Sequence, residues 1–309
     1  MQKMLPKICI IIGPTASGKS DVAVDLAKKI NGEIISADSR QIYKHLNIGS
    51  GKITKEETCG IKHYCLDIVN PKKYSKNYAK NYQSFSVNDY LKFANKAIKK
   101  IIKKKKTPII CGGTGLYIDA LLYGLPKNAK PNPLLRAELE KENLKNLLLK
   151  IKELNAKKYL ELIKNENPSE RNNKRRLIRI IEILEGKKMK NEKLEISKLN
   201  KKIRYNPEFI FIEKSDEELR KRINLRLKRR LDAQGKNGLV EEIKFLREKL
   251  KLNDEWLLSL GLEYKYVTMY LRGDLTYESM IETLQNKIWQ FAKRQILWNK
   301  RYKNVIISK

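Results

Sequence analysis

Three short stretches carry residue types whose spacing suits chemistry. The first is Gly13-Pro14-Thr15-Ala16-Ser17-Gly18-Lys19-Ser20, which fits the pattern G-x-x-x-x-G-K-S. Gly13 and Gly18 let the backbone turn its N–H groups around an oxyanion. Lys19 reaches over the terminal phosphate, and the Ser20 hydroxyl is suited to hold Mg2+. Read alone, this loop is a nucleotide triphosphate site. The second stretch, Asp38-Ser39-Arg40-Gln41, follows an apolar run, and its aspartate suits a general base or a Mg2+ ligand. The competing reading of Asp38 is a cap on the following turn. The third is Gly112-Gly113-Thr114. Paired glycines permit close backbone approach to a ligand, and Thr114 can offer a hydroxyl to the pocket that holds Asp38.

Each stretch follows a predicted strand. Residues 8–12 form an apolar run that reads as a buried parallel strand, and residues 21–30 have helical periodicity up to the stop signal Asn31-Gly32. Residues 33–37 and 107–111 read as two further strands. Ligands of open parallel sheets bind beyond the carboxyl ends of the strands, so the three stretches are expected at one edge. The fold class is α/β, a P-loop NTPase-like parallel sheet flanked by helices. Ordinary members of that class often carry Asp at a neighbouring strand end, where this chain has Gly-Gly-Thr, and this weakens a standard ATPase reading. Residues 85–101 open an amphipathic helix with Leu91, Phe93, Ala94, Ala97, Ile98 and Ile101 on its apolar side. His45 and His63 fall in loop-like surroundings and are assigned surface or packing roles.

Prolines 126, 131 and 133 mark a change of pattern. Residues 134–149, 151–163 and 175–184 then read as successive helices of an all-helical insertion. Arg175 and Arg179 lie one turn apart, opposite Leu177, Ile178 and Ile181. Residues 208–212 restore a strand, and Ser215-Asp216-Glu217-Glu218 caps a helix bearing Arg220, Arg222, Arg226, Arg229 and Arg230. The expected organisation is a core over 1–125, a helical insertion over 126–202, and a return to the core with carboxyl-terminal helices over 203–309.

The 309 residues carry 67 Lys and Arg against 35 Asp and Glu, a formal charge of +32. Such an excess repels itself without a polyanion partner, which points to nucleic acid. A lysine-rich composition is the bland alternative, but arginine clusters too, at 171–179 and 220–230. No apolar run approaches the length of a membrane span, and the amino terminus enters the first strand without a leader. The four scattered cysteines suggest free thiols in a cytoplasmic protein. Cys59, His63 and Cys65 match no zinc spacing.

Together, Gly13 to Ser20, Asp38-Ser39-Arg40-Gln41-Ile42-Tyr43 and Gly112-Gly113-Thr114-Gly115-Leu116-Tyr117 resemble the tRNA dimethylallyltransferases, also called tRNA isopentenyltransferases. The resemblance continues through 172–179, Arg222-Ile223-Asn224-Leu225-Arg226 and Ala292-Lys293-Arg294-Gln295, nearly the whole chain. It implies transfer of a dimethylallyl group from dimethylallyl diphosphate to the exocyclic amine of the adenosine 3′ of a tRNA anticodon. By this resemblance Thr15 to Ser20 hold the diphosphate and its Mg2+, and Asp38 is the general base. Thr114 contacts the target nucleotide, Ser39, Arg40 and Gln41 line the base entrance, and Arg136 with Arg175, Arg176, Leu177, Ile178 and Arg179 meets the tRNA. Arg222 and Arg226 are candidate diphosphate or tRNA ligands. The adenine must leave its stack to react, and a channel between core and insertion is expected to receive it. A monomer is the default assembly.

The chain departs from the family at four places. Asn47-Ile48-Gly49-Ser50-Gly51-Lys52 replaces Asp-Ile-Gly-Thr-Ala-Lys, residues 71–84 are extra, Gly261-Leu262-Glu263-Tyr264-Lys265 stands for Gly-Tyr-Lys-Glu, and residues are added between Leu231 and Gly238. Three rival functions share the phosphate loop: a small-molecule or nucleoside kinase, an RNA-binding ATPase, and a prenyltransferase acting on free adenylate. The Gly-Gly-Thr-Gly-Leu-Tyr element and the arginine-rich insertion separate the tRNA enzyme from all three.

Overall fold

The computed structural model describes residues 5–76, 78, 85–126, 130–166, 168–190, 203–233, 238–302 and 305–308. The chain divides into two compact units, one of Met1–Lys76, Phe85–Gly124 and Lys201–Lys309, the other of Asn77–Ser84 and Leu125–Asn200.

The first unit is built on a six-stranded sheet: β1 (Lys7–Ile12), β2 (Gly32–Ser36), β3 (His63–Tyr64), β4 (Thr107–Cys111), β5 (Asn206–Ile212) and β6 (Val305–Ser308). The order is β3-β2-β4-β1-β5-β6, and every pairing is parallel. Ile8, Ile10, Ile11 and Ile12 are at most 1% exposed, so β1 is apolar on both faces as a central parallel strand requires. Each such side chain removed from water contributes roughly 1.5–3 kcal/mol. β3 and β6 were not expected. β3 is two residues long, too short for alternation to register, and β6 lies after the last predicted helix.

Helix α1 (Lys19–Lys29) turns Ala23, Val24 and Ala27 onto Cys9, Ile11, Ile34, Ile109 and Cys111 of the sheet. A helical turn, α2 (Lys72–Ser75), follows β3. Helix α3 (Val87–Lys103) is started by a reciprocal capping box between Ser86 and Asp89. It buries Leu91, Ala94, Ala97, Ile98 and Ile101 as its period predicts, but Phe93 is 43% exposed, because the buried stripe runs through Tyr90, Leu91, Ala94, Ala97, Ile98 and Ile101 and leaves 93 at its edge. The unit continues with α4 (Gly115–Tyr123) after β4.

The second unit contains α5 (Pro133–Leu139), α6 (Leu144–Leu154), α7 (Ala156–Lys164), α8 (Ser169–Asn172) and α9 (Lys174–Lys188). The continuous helices expected over 134–149 and 151–163 are each broken. Asn143 and Asn155 accept the N–H groups of Asn146 and Lys158 and so start new helices, which outcompetes helix continuation at an asparagine. Leu139, Leu147, Ile151, Leu162, Leu177, Ile178 and Ile181 form this unit's apolar centre.

The chain returns through β5 to α10 (Asp216–Asp232), capped by Ser215, then α11 (Leu239–Glu248), α12 (Asp254–Leu260), α13 (Leu262–Leu271) and α14 (Tyr277–Asn299). Of the extra stretch 71–84, residues 77 and 79–84 lie outside the described residues, as do 234–237 between Leu231 and Gly238 and the end of the expected insertion at 191–202.

Candidate active site

The parallel sheet sends the ends of β1, β2 and β4 to one edge, and the three chemical stretches follow them. After Ile12 the chain turns through residues 13–18 into α1, with Gly18 left-handed (φ 91°) at the helix start. The Lys19 ammonium donates to the Pro14 carbonyl at 2.5 Å. Burial pushes its pKa from 10.5 down to about 8; Arg226 adds to the lowering, while Cys111 and Asp38 partly oppose it. Ser20 and Asp21 are exposed at the start of α1.

A cavity of about 690 Å3 opens over this loop, lined by Lys19, Ser20, Asp21, Asp38, His63, Arg222, Arg226 and Arg229 among others. A second cavity of about 420 Å3 is lined by Asp38, Ser39, Arg40, Thr114, Leu260, Glu263, Phe291 and Trp298. Thr15, Asp38, Gly113, Arg226 and Gln295 line both, so they stand at the junction. Both cavities are lined wholly by residues of the first unit.

Asp38 takes the capping role that its sequence allows, through one of its two oxygens. Its Oδ1 accepts from the Arg40 and Gln41 N–H groups at 2.7 and 3.3 Å, a local turn cap. Its Oδ2 accepts no hydrogen bond among the described residues and is available to a ligand. Arg40 donates from Nε to the Leu260 carbonyl at 2.8 Å. Gln41 accepts from the Ser36 hydroxyl and donates to the Gly51 carbonyl, which pins the loop beneath the first cavity. Thr114 Oγ1 accepts from the Ser39 N–H at 3.1 Å, which leaves its O–H to donate.

The paired glycines line the first cavity and also make room for the chain itself. A side chain on Gly112 would strike the Ala37 backbone, and one on Gly113 would land on Gln295 Nε2. At both glycines the chain approaches itself closely. Gln295 Oε1 accepts from the Thr15 N–H at 2.7 Å, and its Nε2 donates to the Gly113 carbonyl at 3.0 Å.

Helix α10 brings Arg222, Arg226 and Arg229 to the first cavity and Arg230 to the second. Arg226 is held down to about 10, first by burial and then by Arg230 beside it, with Glu263 and Asp38 opposing. Arg230 Nη1 donates to the buried Glu263 at 3.2 Å. Gly51 (φ 59°) gives both guanidinium groups room, since a methyl there would land on them.

The arginines of the second unit have internal partners. Arg136 and Arg179 both reach the buried Glu182, at 2.7 and 3.3 Å. Arg175 donates to the Tyr78 hydroxyl at 3.0 Å, and Arg176 pairs with Glu170. Leu177 and Ile178, placed in the tRNA-facing stretch by the sequence reading, are 0% and 1% exposed. This corrects that assignment, because apolar groups packed into the unit's centre have no surface to offer an RNA.

Sequence reasoning missed four residues at the site. Gln295 and Glu263 are buried polar groups whose partners lie far away in the chain. Arg230 was seen only as one of a basic row. His63 belongs to the edge strand β3 and lines the first cavity, with Nδ1 2.9 Å from the Ile61 carbonyl and its pKa lowered by burial.

The IPP transferase family profile matches residues 41–302. The chain belongs to the IPP transferase family. The loop at 13–20 precedes that match, but alignments with whole relatives include it. The chain is 39% identical over 307 residues to a tRNA dimethylallyltransferase of Clostridioides difficile, covering 97% of this chain and 90% of the relative. Among solved structures it is similar to the tRNA isopentenylpyrophosphate transferase of Bacillus halodurans, at 31% identity and a TM-score of 0.67 over 98% of this chain and 89% of that one. The corresponding transferase of Staphylococcus epidermidis gives 34% identity and 0.64 over 98% and 92%. The family thus has this P-loop NTPase-like sheet, and its named members are tRNA-modifying transferases.

Proposed function

We propose that this chain transfers the dimethylallyl group of dimethylallyl diphosphate to the exocyclic amine of the adenosine 3′-adjacent to a tRNA anticodon, releasing diphosphate. The observation that carries this reading is the place of Asp38, on the wall shared by a cation-rich cavity and a second, more apolar one. The diphosphate suits the first cavity, against Gly13 to Ser20, Lys19, Arg222 and Arg226. The adenine suits the second, near Thr114 and Phe291. The amine nitrogen attacks the allylic carbon, the carbon–oxygen bond to diphosphate breaks, and the amine's proton passes to Asp38. An aromatic amine is a weak nucleophile, so proton removal as the new bond forms is useful general-base work. Negative charge that develops on the leaving oxygen meets the loop N–H groups, the Lys19 ammonium and Arg226. Anionic ligand also raises the pKa of Lys19 and holds it as a cation.

Mg2+ fits this site. The Ser20 hydroxyl is exposed on the cavity wall and makes no hydrogen bond among the described residues, with Asp21 and Asp38 on the same wall. Ser20 would hold the ion, and when bound it would neutralise charge on the diphosphate oxygens. The Thr114 hydroxyl can donate to the target nucleotide, and the surplus positive charge of the chain can hold the anticodon stem-loop by its phosphates. The free thiols of Cys9, Cys59, Cys65 and Cys111 support a cytoplasmic setting. Among the described residues no helix is long and apolar enough to cross a membrane.

The test supplies labelled dimethylallyl diphosphate, Mg2+ and unmodified tRNA without ATP. Acid-stable label on the tRNA is the expected result, lost when guanosine replaces the target adenosine. Absence of transfer, combined with nucleoside- or tRNA-stimulated ATP hydrolysis, would replace this reading with a kinase or ATPase.

A further inference from the structure

Gln295 is 7% exposed on α14, and both ends of its amide are taken by backbone. Its Oε1 accepts from the Thr15 N–H at 2.7 Å on the phosphate loop, and its Nε2 donates to the Gly113 carbonyl at 3.0 Å. These opposite demands fix the amide in one orientation, carbonyl to the phosphate loop and amine to the β4–α4 turn. The next residue, Thr114, accepts from the Ser39 N–H at 3.1 Å, and its own N–H donates to the Ala37 carbonyl at 3.1 Å. Hydrogen bonds therefore lead from Thr15 through Gln295 to Gly113 and, across the Gly113–Thr114 peptide bond, on to the residues on either side of Asp38. Gly113 admits the amide because it has no side chain, as a methyl there would occupy the place of Nε2.

From this geometry we infer that Gln295 is a positioning residue that holds the phosphate loop in register with Asp38 and Thr114. The inference rests on the transferase reading. In a displacement at carbon, the leaving oxygen, the carbon and the attacking nitrogen must line up. A misplacement of about 1 Å costs on the order of 10²-fold in rate. Gln295 spans the loop that holds the leaving group and the turn that borders the acceptor, and each of those loops keeps its other contacts without it. Its loss therefore falls on the alignment of the two substrates more than on the binding of either.

The experiment compares the wild type with Gln295→Met, measuring kcat, KM for dimethylallyl diphosphate, KM for unmodified tRNA, and thermal unfolding. The expected result is a fall in kcat of about tenfold to 10²-fold with each KM within about threefold. Gly113→Ala, which displaces the same amide while leaving residue 295 a glutamine, reproduces that split. Gln295→Glu keeps an acceptor for Thr15 but sets a carboxylate oxygen against the Gly113 carbonyl, so it fails to restore kcat. If Gln295→Met does not fold, the Glu variant decides. A kcat within threefold of wild type, or a loss carried by KM, overturns the inference. A wild type that transfers no label overturns the transferase reading itself, and this inference with it.

Discussion

Lys19→Met should stabilise the ligand-free protein at neutral pH while abolishing its use of diphosphate. Burial lowers Lys19 from 10.5 to about 8. At 1.36 kcal/mol per pH unit, keeping that ammonium charged in the folded chain costs about 3 kcal/mol. The sign follows from proton counting. Between pH 8 and 10.5 the unfolded chain binds the proton that the folded chain has lost, so stability rises with pH through that window. The full penalty is present below pH 8 and gone near pH 10.5.

Methionine keeps the unbranched stem and removes the charge. It also removes the bond from Nζ to the Pro14 carbonyl, worth about 1 kcal/mol net. That carbonyl still accepts from the Ser17 N–H at 3.3 Å, so it is not left unpaired. The balance at pH 7 is a gain of about 2 kcal/mol, or roughly 3 °C in Tm for a chain of this size. At pH 9.5 the penalty has fallen to about 1.4 kcal/mol, and the gain nearly vanishes. Thermal unfolding of both proteins at the two pH values checks this, with pyrophosphate binding as the functional control. A lower Tm for the variant at pH 7, or an equal gain at pH 9.5, would refute a desolvated, charged Lys19.

Asp38→Asn keeps Oδ1 as the acceptor for Arg40 and Gln41, so Tm and tRNA affinity should hold while single-turnover transfer falls about 10²- to 10⁴-fold; lost tRNA binding would make Asp38 structural. Gly51→Ala sets a methyl on the guanidinium groups of Arg226 and Arg230 at a left-handed φ of 59°, a backbone cost of about 1 kcal/mol. Displaced Arg226 should then raise KM for the donor about tenfold, and an unchanged KM would remove Arg226 from diphosphate binding. The affinity for tRNA, read by filter binding, should fall linearly in log–log form with salt. Even two phosphate contacts give about tenfold between 0.05 and 0.2 M, and a flat plot would deny the basic surface its role.

The phosphate loop, Asp38 and Thr114 were legible in the sequence because a parallel sheet aligns strand ends, so three motifs at three strand ends must converge. The arginines were half legible. The periodicity of α9 separates Arg175 and Arg179 from Leu177 and Ile178, but it says nothing of Glu182, which holds Arg136 and Arg179 inside the unit. Asn143 and Asn155 break two predicted helices, and in a lysine- and asparagine-rich chain a capping asparagine looks like any other. Gln295 was the hardest, since it meets Thr15 across 280 positions. Groups that do chemistry are recognised by type, because few side chains suit a given step. Groups that set distances between them are ordinary amides and carboxylates, and their partners are chosen by the fold. A single sequence therefore names the groups proposed to react sooner than it names Gln295, which ties two loops where the cavities meet, or Glu263, which holds Arg230.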